Sequence, residues 1–349
     1  MKTAIRGDMM GIELDVKSFD DALKILSKNY KIFAPVRLKG KGAFSDTDLV
    51  TYGEISSYKD IELNEKSRYS PKEVIYPITQ TLFYFTEDEY KEPEIDDKGI
   101  IVFLRPCDAN SYLKLDNIFL KNGPYEDNYY KRLRDKVKFF IIECTKGFST
   151  CFCVSTGSNK FLDYDVFVRF DNDKITCDVK NDEFSYAFSG KEVEFIPEFI
   201  EKNEIEVKLP DIDKISQNLE YVFNHELWDE YTKRCIACGR CTVSCPTCSC
   251  FSMQDIFYKD NPKCGERRRV WASCMVDGFT DVAGGHSYRQ KYGERMRFKV
   301  MHKIYDYKKR FGTTMCVGCG RCDDVCPEYI SFIKIVSKVT DAVDRGESK

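Results

Sequence analysis

Two short stretches concentrate the thiols of this 349-residue chain. "RCIACGRCTVSCPTCSC" (234–250) holds six cysteines in seventeen residues, and "MCVGCGRCDDVCP" (315–327) holds four more. In each, four cysteines stand as C-x2-C-x2-C-x3-C before a proline: Cys235, Cys238, Cys241 and Cys245, then Cys316, Cys319, Cys322 and Cys326. This is the spacing of two-cluster ferredoxins, in which three cysteines of a run hold one 4Fe–4S cube and the fourth crosses to the other cube. Two-residue spacers let one tight loop present three sulfurs to three corners. Glycines such as Gly239, Gly318 and Gly320 let the backbone pass close with its N–H groups toward sulfur. The pattern assigns Cys235, Cys238, Cys241 and Cys326 to one cluster, and Cys316, Cys319, Cys322 and Cys245 to the other. Zinc is the competing guest. It takes four ligands, usually as two separated pairs, and has no use for a third cysteine at the same spacing.

Eight cysteine ligands leave no open position on iron, so the expected chemistry is conduction of single electrons and no catalytic residue is assigned. Nucleotide motifs are missing: "GKGAFS" (40–45) lacks the third glycine of a dinucleotide fingerprint, and neither a P-loop nor a hydrolase elbow occurs. Electrons then arrive from one partner and leave to another.

Cys107 ("RPCD"), Cys144 ("IEC"), Cys151 and Cys153 ("CFC") fall at strand ends or turns of the first half. Two readings stand: a third 4Fe–4S cluster, with Asp108 as a substitute ligand, or four ordinary buried thiols. Cys248, Cys250 and Cys274 read first as packing beside the clusters, and Cys177 and Cys264 as plain packing residues. His225, His286 and His302 are scattered and read as packing or surface residues.

These residues need elements to hold them. "SFDDALKILSK" (18–28) has helical periodicity, "KIFAPV" (31–36) reads as a strand, and "GIIVFLRPCDANSYLKLDNIFL" (99–120) as a buried strand, a turn and an amphipathic helix. Helix then strand recurs over 129–144, and 164–196 alternates around Asn, Asp and Gly turns like antiparallel strands. The expected fold is α+β, with a mixed α/β domain over 1–212 and a helical ferredoxin-like domain with two clusters over 213–349. Seventy residues lie between Cys245 and Cys316. They are expected to be helical, not a compact β-hairpin, with helical patterning again at 294–311.

Composition bounds the rest. With 42% hydrophobic and 32% charged residues and a net charge of −3, the chain reads as globular, with no overall sign of a nucleic-acid or membrane partner. No apolar run nears the roughly 20 residues of a membrane helix, and the first fifteen residues do not read as a signal peptide. A cytoplasmic setting is expected. There seventeen cysteines point to metal rather than disulfides. Residues 263–310 carry thirteen Lys/Arg against five Asp/Glu. That excess reads as compensation for anionic clusters or as a docking face, with a nucleic-acid-binding redox regulator as the competing idea.

With "CIACGRCTVSCPTCSCF", "GERRRVWASCMVDGFTDVAGGHSYRQKYGERMRFKVMHK" and "CVGCGRCDDVCP", and with "FSDTDLV", "PITQTLFYF", "RPCD" and "CFCVSTGSN" earlier, the chain resembles the iron–sulfur (A-type) subunits of anaerobic sulfite reductases. Those subunits belong to a wider two-cluster group that includes the beta subunits of cytosolic sulfhydrogenases. The resemblance covers nearly the whole chain. It implies a flavin subunit oxidising NADH or NADPH, this chain as the iron–sulfur relay, and a sirohaem subunit reducing sulfite to sulfide. The equivalent beta subunit of a sulfhydrogenase is the alternative.

Overall fold

β1 (Met10–Asp15) runs into α1 (Val16–Leu26), whose N-cap Asp15 carboxylate accepts the Ser18 N–H at 2.7 Å. This is the computed structural model of the chain, and it describes residues 10–44 and 46–346. Residues 1–9, which open the segment read above for a leader, lie outside that description. The first half continues through β2 (Tyr30–Leu38), β3 (Leu49–Glu54), β4 (Thr79–Phe85), β5 (Tyr90–Lys91) and β6 (Gly99–Leu104). Then come α2 (Pro106–Phe119), α3 (Asn128–Arg134), β7 (Val137–Ile142), β8 (Val166–Asp171), β9 (Lys174–Val179) and β10 (Lys191–Glu194).

Eight of these strands form one sheet in the order β10-β1-β9-β8-β7-β6-β2-β3. The central four, β8, β7, β6 and β2, are parallel, and the flanks are antiparallel. The unbroken apolar run of β6 follows from burial on both faces. Successive side chains alternate: Ile101 and Phe103 pack with Phe19 and Leu23 of α1, while Ile100, Val102 and Leu104 pack with Tyr112 and Leu115 of α2. Each such side chain contributes roughly 1.5–3 kcal/mol when fully buried. Parallel strands place their carboxyl ends on one edge, where open α/β sheets bind ligands. Cys107 stands in the first turn of α2, just past β6, and Cys144 two residues past β7.

The second half departs from expectation. α4 (Ile212–Gln217), α5 (Leu219–Asn224), α6 (Leu227–Arg234) and the short α7 (Arg240–Val243) are helical. The region after Cys250, expected to be helical, instead forms a long hairpin of β11 (Phe251–Tyr258) and β12 (Asn261–Trp271). Its other edge pairs with β4, giving a four-stranded sheet β11-β12-β4-β5. The ladder crosses the seam expected at 212/213, and that long-range pairing is why local pattern misled. β11 is mostly exposed, and Arg267 in β12 pairs with its register partner Asp255 at 2.6 Å, so the hairpin carries no alternating apolar face. A small antiparallel ladder of β13 (Asp281–Val282) and β14 (His286–Ser287) follows, and then helices: α8 (Tyr292–Met301), a π-helical turn over His302–Asp306, α9 (Tyr307–Phe311), α10 (Arg321–Asp324) and α11 (Phe332–Gly346).

The core of this half joins Ile335, Val336 and Val339 of α11 to Met296 and Val300 of α8 and Trp228 and Tyr231 of α6. Phe152, from the first half, is part of the same core, and Cys235, Cys241, Cys316, Cys322 and Cys326 pack against it. Among the described residues no helix is long and apolar enough to cross a membrane.

Candidate metal centres

Both cysteine runs fold the same way. Cys235 caps the end of α6; Ala237 (φ 56°) and Gly239 (φ 72°) then turn the chain left-handed into α7, which carries Cys241. In the second run Gly318 (φ 64°) and Gly320 (φ 73°) do the same ahead of α10, which carries Cys322. The tight turn points N–H groups at sulfur: Ala237 donates to Cys235 Sγ and Gly318 to Cys316 Sγ, each at 3.4 Å. Position 318 has to be glycine, because a Cβ there would lie 2.6 Å from the Cys153 backbone, whereas its counterpart tolerates alanine. The fourth cysteines, Cys245 and Cys326, lie in the turns leaving the short helices.

Two chambers lie between these loops. The first is lined by Cys235, Cys238, Cys241, Cys322 and Cys326, backed by Met275, Met296 and Phe332. The second is lined by Cys245, Cys316, Cys319, Cys322 and Cys241, with Phe152 at its wall. Cys326 thus lies with the first run and Cys245 with the second. Cys241 and Cys322 line both chambers.

Lys299 also lines both chambers and Lys303 the second; each is at most 5% exposed. Neither they nor the equally buried Lys72 pair with a carboxylate among the described residues. Lys72 Nζ donates to the carbonyls of Cys248 (2.9 Å) and Thr242 (3.3 Å), and Lys303 Nζ to Thr247 Oγ1 (2.9 Å). Burial lowers the pKa of Lys299, but Cys241 and Cys322 hold it above its ordinary value. Lys303 is held up in the same way by Cys245, Cys248 and Cys316. For Lys72 burial wins and the pKa falls. An ammonium buried without a counter-charge costs several kcal/mol, so these chambers are built for an anionic guest. Thiolate-ligated 4Fe–4S fits that requirement. Burial pushes the Cys316 thiol up to about 12 and the Cys322 thiol well above its ordinary value, so loading metal releases protons. Among the described residues, no three of His, Cys, Asp or Glu converge as one metal ion requires.

The basic stretch as a whole reads from sequence as compensation for anionic clusters or as a docking face; for Lys299 and Lys303 individually the sequence carries a further signal. Met296, Lys299, Val300 and Lys303 recur at i, i+3, i+4 and i+7, so two lysines occupy the buried stripe of α8 and the turn after it.

The first-half thiols lie beside the second chamber. Phe152 N–H donates to the Gly318 carbonyl at 2.8 Å, and Cys151 Sγ contacts the Cys319 carbonyl at 3.7 Å. Burial raises the Cys107 thiol, and Asp108, Cys153, Cys319 and Cys151 raise it further. Burial lifts Cys153 to about 12, with Cys151 and Cys144 adding to the shift. The four thiols therefore share one electrostatic neighbourhood. Asp108 is not available as their substitute ligand: it is buried in a two-pronged ion pair with Arg321.

The neighbouring Cys248 thiol lowers the Cys245 thiol well below its ordinary value, and Cys274 likewise lowers Cys250. Cys177 is buried in the first-half core, and Cys264 lies on β12. The histidines line neither chamber: His225 Nδ1 accepts the Leu227 N–H at 3.0 Å, and His302 stacks on Phe298. The basic stretch is divided. Arg267, Arg268, Arg269 and Arg295 are paired to Asp255, Glu266, Asp127 and Asp277, while Lys299 and Lys303 turn inward.

Residues 234–330 match the family described as a 4Fe-4S dicluster domain. The chain is also similar to the sulfhydrogenase 2 subunit beta of Pyrococcus furiosus, with 27% identity over 96% of this chain and 100% of that relative. No solved structure matches. A mixed α/β half is thus followed by a C-terminal 4Fe–4S dicluster domain, and both similarities support an iron–sulfur electron-transfer role.

Proposed function

We propose that this chain is the electron-transfer subunit of a multi-subunit oxidoreductase and conducts single electrons between partners. In this reading Cys235, Cys238, Cys241 and Cys326 hold one 4Fe–4S cluster, Cys316, Cys319, Cys322 and Cys245 a second, and Cys107, Cys144, Cys151 and Cys153 a third. When bound, such clusters supply reversible one-electron reduction. The chain's own residues hold the sulfurs, donate N–H groups to them, keep water out with Met275, Met296, Phe152 and Phe332, and place Lys299 and Lys303 as counter-charges. The observation that carries the reading is the wall of Cys241, Cys322 and Lys299 common to both chambers. Two sites so placed favour transfer between them over chemistry at either one.

The finer assignment is to an anaerobic sulfite reductase, with a flavin subunit oxidising NAD(P)H upstream and a sirohaem subunit reducing sulfite downstream, in the cytoplasm. It is supported by the sequence resemblance across both halves. The beta-subunit role in a sulfhydrogenase is the second reading, favoured by the end-to-end similarity to the Pyrococcus furiosus protein.

Anaerobic iron and acid-sulfide quantitation on the purified chain tests the first level. About twelve irons are expected; about eight would confine clusters to the two repeated motifs, and stoichiometric zinc in place of iron would overturn the electron-transfer reading. Cofactor analysis of the intact complex separates the finer readings, since sirohaem marks one and nickel the other.

A further inference from the structure

The two chambers differ in how they meet solvent. The second is covered by the Cys151–Cys153 loop, whose Phe152 lines it and bonds to Gly318. The first lies at the surface: Cys238, on its lining, is the one exposed cysteine of the chain. Beside it stand Ile236, 55% exposed, and Tyr329, 88% exposed. An adjoining groove runs from Cys326 and Tyr329 past Arg240 and Arg68 to Phe44, which is 72% exposed.

This rim is held in place. Ala237 and Tyr329 are two of the three described non-glycine residues with positive φ. For an aromatic residue that conformation is a genuine outlier, and it is clamped here: Arg234 donates to the carbonyls of Glu328 (3.0 Å) and Tyr329 (3.3 Å). A ring fixed outward by an unfavourable backbone is not accounted for by packing within the chain, because it packs on almost nothing. The charges around it are unevenly matched. The side chains of Arg68 and Arg240 have no carboxylate partner among the described residues. Of the nearby carboxylates, Asp324 is tied to Lys66 and Asp323 to Ser331 and the Phe332 N–H, which leaves Glu328 against the two arginines.

We propose that Ile236, Tyr329 and Phe44, flanked by Arg68 and Arg240, form the docking surface for a redox protein whose own face is an apolar patch edged with carboxylates. The proposal rests on the electron-transfer reading above and adds where one partner binds. One electron crosses per encounter; one protein is oxidised by one, the other reduced by one, and no bond is made or broken. Apolar contact supplies the complex, and the arginines steer its formation and make the rate depend on salt.

The test uses the full chain, loaded and reduced with dithionite, in stopped-flow mixing with three acceptors: an acidic rubredoxin, a basic cytochrome c and the small dye methylene blue. Arg68→Glu and Tyr329→Gly are compared with wild type; glycine accepts the left-handed backbone at 329, so the turn survives. Wild type should reduce the acidic protein with a rate that falls as salt rises. Arg68→Glu should cut that rate at least tenfold at low salt while speeding cytochrome c, and Tyr329→Gly should cut it at every salt concentration. Iron content and dye reduction should be unchanged in both. Full iron and normal dye reduction, with rubredoxin rates like wild type in both variants, would overturn the docking surface and leave the relay intact. Absence of iron–sulfur from wild type would instead remove the relay reading itself.

Discussion

Arg321 donates to both carboxylate oxygens of Asp108, at 2.6 and 2.8 Å, with both side chains at most 3% exposed. The pair joins the residue after Cys107 to the residue before Cys322, and Arg321 also bonds Ser67 through its carbonyl and hydroxyl. It is therefore a buried rivet between the carboxyl edge of the sheet and the second cysteine loop. Whatever binds at either set of thiols is held in register with the other by this contact.

Breaking that pair leaves an uncompensated buried guanidinium, which typically costs about 3–5 kcal/mol. Asp108→Asn keeps the shape and removes the charge. Chemical denaturation of the anaerobically loaded protein should show a loss of that order. A loss below ~1 kcal/mol would mean that other anions already balance Arg321.

Removing a positive charge beside an anionic cluster disfavours its reduced form, so Lys299→Met and Lys303→Met should lower cluster potentials. Because Lys299 lines both chambers and Lys303 only the second, the first variant should shift both EPR-monitored midpoints and the second only one. Each shift is expected on the order of tenfold in the reduced-to-oxidised ratio, ~59 mV for a one-electron couple. Unmoved midpoints in Lys299→Met would show that its charge does not act on the clusters.

Cys319→Ser should remove one cluster and leave the first-half sheet folded, because that sheet has its own two-faced core. Iron should fall by about four per chain, with circular dichroism of the strands retained and electron transfer abolished. Replacing Cys107, Cys144, Cys151 and Cys153 together by alanine should remove about four more, and an unchanged count there would make them ordinary buried thiols.

His302 carries a pH dependence. Burial, with Lys303 and Arg289 nearby, lowers its pKa from 6.5 to about 4. The unfolded chain therefore binds a proton on this residue below pH 6.5 that the folded chain refuses until about pH 4. The neutral histidine's contribution is fully present above that window and is lost as pH falls through it. His302→Gln should flatten the slope of stability against pH between these values; an unchanged slope would assign the acid sensitivity elsewhere.

The sequence by itself determined the parts that depend on local chemistry. Cysteine spacing, left-handed glycines and a proline after each fourth cysteine are short-range facts, and they named the thiols that line the two chambers. The apolar run of β6 and the helix after it were equally legible, because burial on both faces and a 3.6-residue period mark the chain directly. Only the tertiary structure decided the β11–β12 hairpin, whose polar strands are specified by pairing with β4 far away in sequence. It also decided the fate of Asp108, which chemistry alone allowed as a ligand but which Arg321, more than two hundred residues away, holds in an ion pair. For the lysines the division falls within one stretch: the basic excess over 263–310 and the buried spacing of Lys299 and Lys303 are sequence properties, but only the convergence of separate segments shows which of those cations line the chambers.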